Sequence, residues 1–335
     1  MNENLSVVIL AAGKGTRMKS DKAKVLHEVF FLPMIDHVLT AVQPLQAKRT
    51  VVIVGHQRQA VCAAIASFKA ETVVQEEQLG TGHAVLLTEK VIPAGVGEVM
   101  ILCGDTPLLR TESLVAMLAH HRAHGAACTL MTARLADPYG YGRVLTTDNG
   151  EILGIVEEKD ATPEQKAIQT VNTGIYLVER DALFTALASV DRNNAQGEFY
   201  LTDIIEKIVK SGQIASQFAN PNPDEVLGVN SRAELALAHA EIQRRRNQAL
   251  MLAGVSIEHP ESIAVALSAK VEPDCVLEPS VRLLGATSLG RGCRVGQGAI
   301  LCDCILAENV TIGPYCCLTG ISLTAGSVIP PLTCR

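Results

Sequence analysis

Near its amino end the chain sets Gly13, Gly15 and Thr16 among five basic residues: Lys14, Arg17, Lys19, Lys22 and Lys24. Only Asp21 and Glu28 oppose them locally. Glycines let successive backbone N–H groups converge on an anion, and the basic side chains supply neutralising charge. That combination suits a nucleoside triphosphate. The segment follows Ser6-Val7-Val8-Ile9-Leu10, an apolar run that reads as a buried first strand. A loop at the carboxyl end of such a strand lies where open α/β sheets bind ligands. Asp105, in Cys103-Gly104-Asp105-Thr106-Pro107, follows another apolar run. A carboxylate so placed is a natural magnesium ligand, although a turn or helix-capping aspartate fits the same position.

The simplest competing reading of the first segment is a glycine-rich turn with a solvated basic face. A P-loop would need Gly-x4-Gly-Lys-Ser/Thr, which is absent, and a dinucleotide fingerprint would need a third glycine where Met18 stands. The whole string Leu10-Ala11-Ala12-Gly13-Lys14-Gly15-Thr16-Arg17-Met18, with Lys24 seven residues after Arg17, resembles the signature of sugar-1-phosphate nucleotidyltransferases. The resemblance is closest to the uridylyltransferase portion of the bifunctional uridylyltransferase/acetyltransferases.

That resemblance implies a reaction and a set of roles. UTP and N-acetylglucosamine 1-phosphate would give UDP-N-acetylglucosamine and pyrophosphate, with Mg²⁺ as cofactor. Leu10, Ala11, Ala12, Gly13, Cys103 and Gly104 would line the nucleotide site, Arg17 would hold the departing pyrophosphate, and Lys24 the reacting phosphates. Gln75 and Gly80-Thr81 would read the uracil edge, for which an amide that both donates and accepts is suited. Gly142, Glu157 and Asn172 would contact the N-acetylhexosamine. Asp105 and Asn230 would hold the metal. Cys103 departs from the pattern, since the family often carries an aromatic there. Alternatives are a sister enzyme using UTP or dTTP with glucose 1-phosphate, and a regulatory protein that kept the fold without the chemistry. The intact Arg17, Lys24, Asp105 and Asn230 count against the latter.

Positioning these residues requires alternating strands and helices. Thr50–Gly55, Glu71–Gln75 and Val99–Cys103 read as further buried strands, with amphipathic stretches at Leu32–Val42, Gln57–Phe68 and Thr111–His124 between them. The alternation predicts a doubly wound, mostly parallel, Rossmann-like α/β sheet. Asn193–Asp203 leads into another amphipathic helix for which Thr202 or Asp203 suits a cap, and Asn230 is placed to cap a long charged helix over Ser231–Leu252.

The pattern changes after Gly254. An apolar residue recurs every six positions at Val271, Leu277, Leu283, Leu289, Val295 and Leu301; after a five-residue step the series resumes at Leu306, Ile312 and Leu318. The fourth residue beyond most of them is small, as at Cys275, Thr287 and Cys316. This hexapeptide period predicts a short left-handed parallel β-helix of about three coils. Such repeats often carry acyltransferase activity. The last histidine is His259 and the last lysine Lys270, however, so acetyl transfer is expected to be absent. The organisation expected is 1–229 nucleotidyltransferase, 230–254 connecting helix and 255–335 β-helix. Apolar Leu284, Ile300 and Leu323 lie off the inward positions and predict a homotrimer through the coils.

Bulk composition narrows the class. At 335 residues with 48% apolar content the chain can fill two cores. A net charge of −6 and a pI near 5.9 argue against nucleic acid and membrane surfaces as partners. No signal-like segment is present, so a cytoplasmic protein with reduced thiols is expected. The ten cysteines lack zinc-ligand spacing and read as small buried hydrophobes.

Overall fold

Residues 2–335 are described in a computed structural model. They divide into two units, Met1–Glu28 with Leu32–Glu234, and Val29–Phe31 with Leu235–Arg335.

The first unit is built on a nine-stranded sheet. Its strands are β1 (Asn2–Ala11), β2 (Ala47–Val54), β3 (Glu71–Val74), β4 (Glu98–Cys103), β5 (Cys128–Arg134), β6 (Arg143–Thr146), β7 (Ile152–Val156), β8 (Thr170–Glu179) and β9 (Ala215–Ala219). The central order is β9-β5-β8-β4-β1-β2-β3, with β6 pairing both β8 and β7. Strands β4, β1, β2 and β3 run parallel, which buries both faces; Val7, Val8 and Ile9 of β1 and Val51 to Val54 of β2 are fully enclosed. Strand β8 is antiparallel to both β4 and β5. The chain reaches it through the β6–β7 hairpin and the short helix α5 (Pro163–Lys166), not through a single crossover helix. The doubly wound α/β reading holds, and the departure from a parallel order is confined to this excursion.

Helices α1 (Met34–Val42), α2 (Arg58–Ala64), α3 (Thr81–Leu86), α4 (Thr111–His124), α6 (Arg180–Ala188) and α7 (Asp203–Lys210) cover the sheet. The expected span at Gln57–Phe68 is shorter as an α-helix because its last turn tightens to a 3₁₀ turn at Ile65–Ser67. Helix α8 (Arg232–Leu252) contains the division between the units.

The second unit is a stack of short parallel strands in three sheets of five, four and four. Partners lie one coil apart, as Val276 with Arg294, and the interval shortens by one after the five-residue step, as Ser288 with Ile305. The expected count of about three coils is too low. Strands begin at Ser256–Ile257 and continue to Val328–Ile329, giving four full turns and one further strand. The first coil was hidden because it is longer, pairing Ser256 with Val276, and so breaks the six-residue rhythm. Leu277, Leu283, Leu289, Val295 and Leu301 are fully buried, as are the small residues Cys275, Cys293 and Ala299 between them. Within this unit Phe30 N–H donates to His239 Nδ1 at 3.2 Å, and the Arg282 guanidinium lies 5.7 Å from the Phe31 ring centroid.

Candidate functional site

The carboxyl ends of β1, β3 and β4 open onto a cleft of about 530 Å³. Leu10, Ala11, Ala12, Gly13, Arg17, Lys24, Gln75, Gly80, Thr81, Cys103, Asp105 and Asn230 all line it. The loop after β1 can take this course only with glycine at position 15. Its φ is 65°, and a Cβ there would stand 2.6 Å from Lys24 Cβ. Gly80 is equally constrained, with φ 115° and a hypothetical Cβ 2.5 Å from the Phe199 carbonyl oxygen.

Four polar side chains from separate segments meet in this cleft. Lys24 Nζ forms an ion pair with Asp105 and donates to Asn230 Oδ1 at 2.6 Å. Arg17 Nη2 donates to the same oxygen at 2.8 Å. Asn230 Nδ2 donates to the Gly228 carbonyl at 3.0 Å, which turns Oδ1 toward the cations. Asp105 is held from behind, where Val229 N–H donates to its carbonyl oxygen at 2.8 Å. A carboxylate and an amide oxygen thus converge on one cationic point. Two hard oxygen donors of this kind, open to phosphate and water for the remaining positions, suit a magnesium-like ion. The Lys24 ammonium already demonstrates that both can face a single cation. Among the described residues no cluster of three or more His, Cys, Asp or Glu side chains has metal-site geometry, so no fully protein-ligated site competes.

Asn230 does not cap α8, contrary to expectation. Ser231 does: its hydroxyl accepts from Glu234 N–H at 3.2 Å, and the Glu234 carboxylate accepts from Ser231 N–H at 3.1 Å. This reciprocal capping box leaves the Asn230 side chain free for the cleft. Thr202 precedes α7 without a side-chain capping bond.

Where β3 ends at the cleft, Gln75 is 5% exposed and its Nε2 donates to the Gly80 carbonyl at 3.0 Å. Gln78 Nε2 donates to the Ala12 carbonyl at 2.8 Å, tying the two loops. Gln78 and Glu198 line the cleft as well and were not singled out from the sequence. Gln78 could have been, since it repeats the amide three positions after Gln75.

Gly104, Gly142, Glu157 and Asn172 do not line the cleft. Gly104 is buried behind it, where its N–H donates to the Leu10 carbonyl at 2.9 Å. The other three gather beside one another. Asn172 N–H donates to the Gly142 carbonyl at 2.8 Å, and a Cβ on Gly142 would stand 3.4 Å from both Glu157 carboxylate oxygens. Glu157 opens instead onto a second hollow of about 290 Å³, with Asp160, Asp191 and Asp203. Burial raises the Glu157 carboxyl above the usual carboxylate range, and the charges of Asp203 and Asp160 push the same way. Burial also lifts Asp203 to about 6. The Gly174 backbone joins trio and cleft: its N–H donates to Asn172 Oδ1 at 2.9 Å, and its carbonyl accepts from Cys103 Sγ at 3.6 Å. Burial, aided by the Asp105 charge, pushes the Cys103 thiol up to about 12, so it packs as a neutral group. Behind the trio, the buried Arg143 guanidinium donates to Glu158 Oε2 at 2.7 Å and fixes the turn before β6.

Residues 6–223 match the nucleotidyl transferase family. The chain is 48% identical to the bifunctional protein GlmU of Desulfotalea psychrophila over 326 residues, covering 97% of this chain and 96% of that one. It is 41% identical to the bifunctional protein GlmU of Pelobacter propionicus, over 98% of this chain and 72% of that one. The bifunctional protein GlmU of Latilactobacillus sakei is 40% identical, over 98% and 71% of the two chains.

Proposed function

We propose, from the premise that this chain belongs to the nucleotidyl transferase family and to the bifunctional GlmU proteins within it, that it transfers UMP from UTP to N-acetylglucosamine 1-phosphate. The observation that carries this reading is the convergence of Arg17, Lys24, Asp105 and Asn230 at the ends of parallel strands, beside an amide poised over the same cleft.

In the transfer, a phosphate oxygen of the sugar phosphate forms a bond to the α-phosphorus while the α–β bridging P–O bond breaks and pyrophosphate leaves. The attacking oxygen is already ionised at neutral pH, so the protein supplies no general base. Its work is positioning and charge neutralisation. Backbone N–H groups of the Gly13–Gly15 loop and the Arg17 guanidinium hold the departing phosphates; Lys24 exchanges its contact with Asp105 and Asn230 for the reacting phosphates. Mg²⁺, held by Asp105 and Asn230, would neutralise phosphate charge. The neighbouring Gly142, Glu157 and Asn172 bind the sugar, and Cys103 leaves more room beneath it than an aromatic would.

No histidine or lysine stands beyond Lys270 to act as an amine-activating base in the repeats, and we assign acetyl transfer no role here. Acetyl-CoA consumption with glucosamine 1-phosphate is expected to stay at background, and robust turnover by purified protein would refute this. A homotrimer through the coils is the assembly this reading expects, with Ile305, Val328 and Leu332 carrying exposures of 59%, 70% and 73% beside the half-buried Leu284 and Ile300. Leu323, expected off the inward positions, instead stacks in register on the inward Leu306 and packs into the coil core. A chain that is monomeric by light scattering at micromolar concentration would exclude the trimer. A cytoplasmic location completes the reading; among the described residues no helix is long and apolar enough to cross a membrane.

Pyrophosphate release measured against a panel of nucleotides and sugar phosphates tests the assignment. UTP with N-acetylglucosamine 1-phosphate should give the highest kcat/KM. A preference for glucose 1-phosphate, or for dTTP, would move the chain to a sister family.

A further inference from the structure

We infer that His83 is a positioning residue for nucleotide choice: it locks the Gln75 amide in the orientation that accepts a pyrimidine N3–H and rejects a base lacking that hydrogen. The inference rests on the uridylyl-transfer reading above.

The argument begins with hydrogen-bond roles. The Gly80 carbonyl oxygen is an acceptor only, so the Gln75 side-chain atom 3.0 Å from it is the amide nitrogen. That nitrogen is also 3.2 Å from His83 Nδ1. An amide nitrogen carries two hydrogens and accepts nothing, so His83 Nδ1 must accept, and its ring carries its proton on Nε2. Both Gln75 hydrogens are then used inside the protein. The one polar side-chain atom it has left for the cleft it lines is Oε1, a pure acceptor.

The surroundings keep this arrangement fixed. Gln75 N–H donates to the Val54 carbonyl at 2.8 Å, at the end of β3. The Gly80 turn is clamped by Phe199 N–H to the Leu79 carbonyl and Gly82 N–H to the Phe199 carbonyl, both at 2.8 Å. The His83 ring leans on Phe199 with centroids 6.4 Å apart. Flipping the amide would bring Oε1 against the Gly80 oxygen and would require His83 to move its ring proton from Nε2 to Nδ1, so the flip carries two costs where the Gly80 carbonyl alone would impose one. An Oε1 acceptor pairs with the N3–H of uracil. Cytosine offers a lone pair at N3 and leaves Oε1 unsatisfied. Thymine shares the N3–H, so this device separates uridine from cytidine and not from thymidine.

The test compares kcat/KM for UTP and CTP in the full chain. His83→Phe keeps the ring against Phe199 and removes the acceptor; His83→Asn places an oxygen where Nδ1 stood. The ratio of UTP to CTP should fall about five- to tenfold in His83→Phe, the scale of one neutral hydrogen bond. The loss should appear in KM, with kcat at saturating UTP unchanged, and His83→Asn should restore most of the ratio. An unchanged ratio in His83→Phe, or an equal fall in both variants, overturns the inference while leaving the uridine reading intact. A wild-type chain with no preference for UTP over CTP overturns the uridine reading and the inference with it.

Discussion

The sheet unit and the coil unit hold their information at different scales. In the sheet unit, short segments with no internal repeat bring Arg17, Lys24, Asp105 and Asn230 together although Arg17 and Asn230 are 213 residues apart. In the coil unit no single side chain stands out; inward positions recur down three faces and each coil touches only its neighbours. One unit depends on the identity of individual atoms, the other on the sum of many similar burials. Substitutions should therefore fail in opposite ways, in chemistry for the first and in stability for the second.

The largest expected effect is in the sheet unit. Arg17 is exposed, so Arg17→Ala should leave the melting temperature nearly unchanged while lowering kcat by roughly 10³-fold, the scale of losing an arginine that meets transferring phosphates. A steady-state assay beside a thermal melt measures both, and a large melting shift would break the contrast. Leu301→Ala, in a fully buried inward position, should do the reverse. It should destabilise the protein by about 2–5 kcal/mol, seen by denaturant unfolding, with kcat per folded molecule preserved.

A smaller effect separates packing from polar satisfaction inside the coil unit. Asn247 is fully buried and its Nδ2 donates to the carbonyls of Pro260 at 2.6 Å and Ile263 at 2.8 Å. Asn247→Ala strands the Pro260 carbonyl, while Ile263 keeps its bond from Gln243 Nε2, and should cost about 1–3 kcal/mol. If Asn247→Ala matched the loss of Leu301→Ala with no cavity of that size, the packing account of the coils would need revision.

The smallest effect depends on pH. Asp203 in the folded protein titrates near 6, raised chiefly by burial, so the folded state holds its proton more tightly than the unfolded chain. Stability from this group is full below the unfolded value of about 4 and is lost as pH rises toward 6. Asp203→Asn should therefore stabilise the protein above pH 6 by about 1–2 kcal/mol, after allowance for solvent screening and the lost helix-dipole contact. The gain should vanish near pH 4, and melting curves at the two pH values give the sign directly.

How far each unit was legible in the sequence follows the same division of scales. The six-residue rhythm identified the coils, yet their number came out low because the first coil carries two extra residues and the late ones lack one. In the sheet unit the glycine-rich basic loop after β1 and Asp105 announced themselves through residue type and place, and α4 begins and ends as expected at Thr111 and His124. The direction of β8 was not readable, because strand direction is decided by the path through β6, β7 and α5 and not by the apolar pattern of the strand. Asn230 was misassigned as a cap since Ser231, one residue on, completes a Ser-x-x-Glu box with Glu234. The pairing of Gln75 with His83 was invisible for a related reason: it depends on a turn closing so that the eighth residue on returns beside the first.

The most direct test is pyrophosphate release from UTP and N-acetylglucosamine 1-phosphate by the full chain and by Asp105→Asn, each titrated with Mg²⁺. Transfer by the wild-type chain should rise with Mg²⁺ and saturate. Asp105→Asn, with one carboxylate oxygen replaced and the fold retained, should stay roughly 10³-fold slower at every Mg²⁺ concentration. A variant that reaches near wild-type kcat at saturating Mg²⁺ would contradict the account.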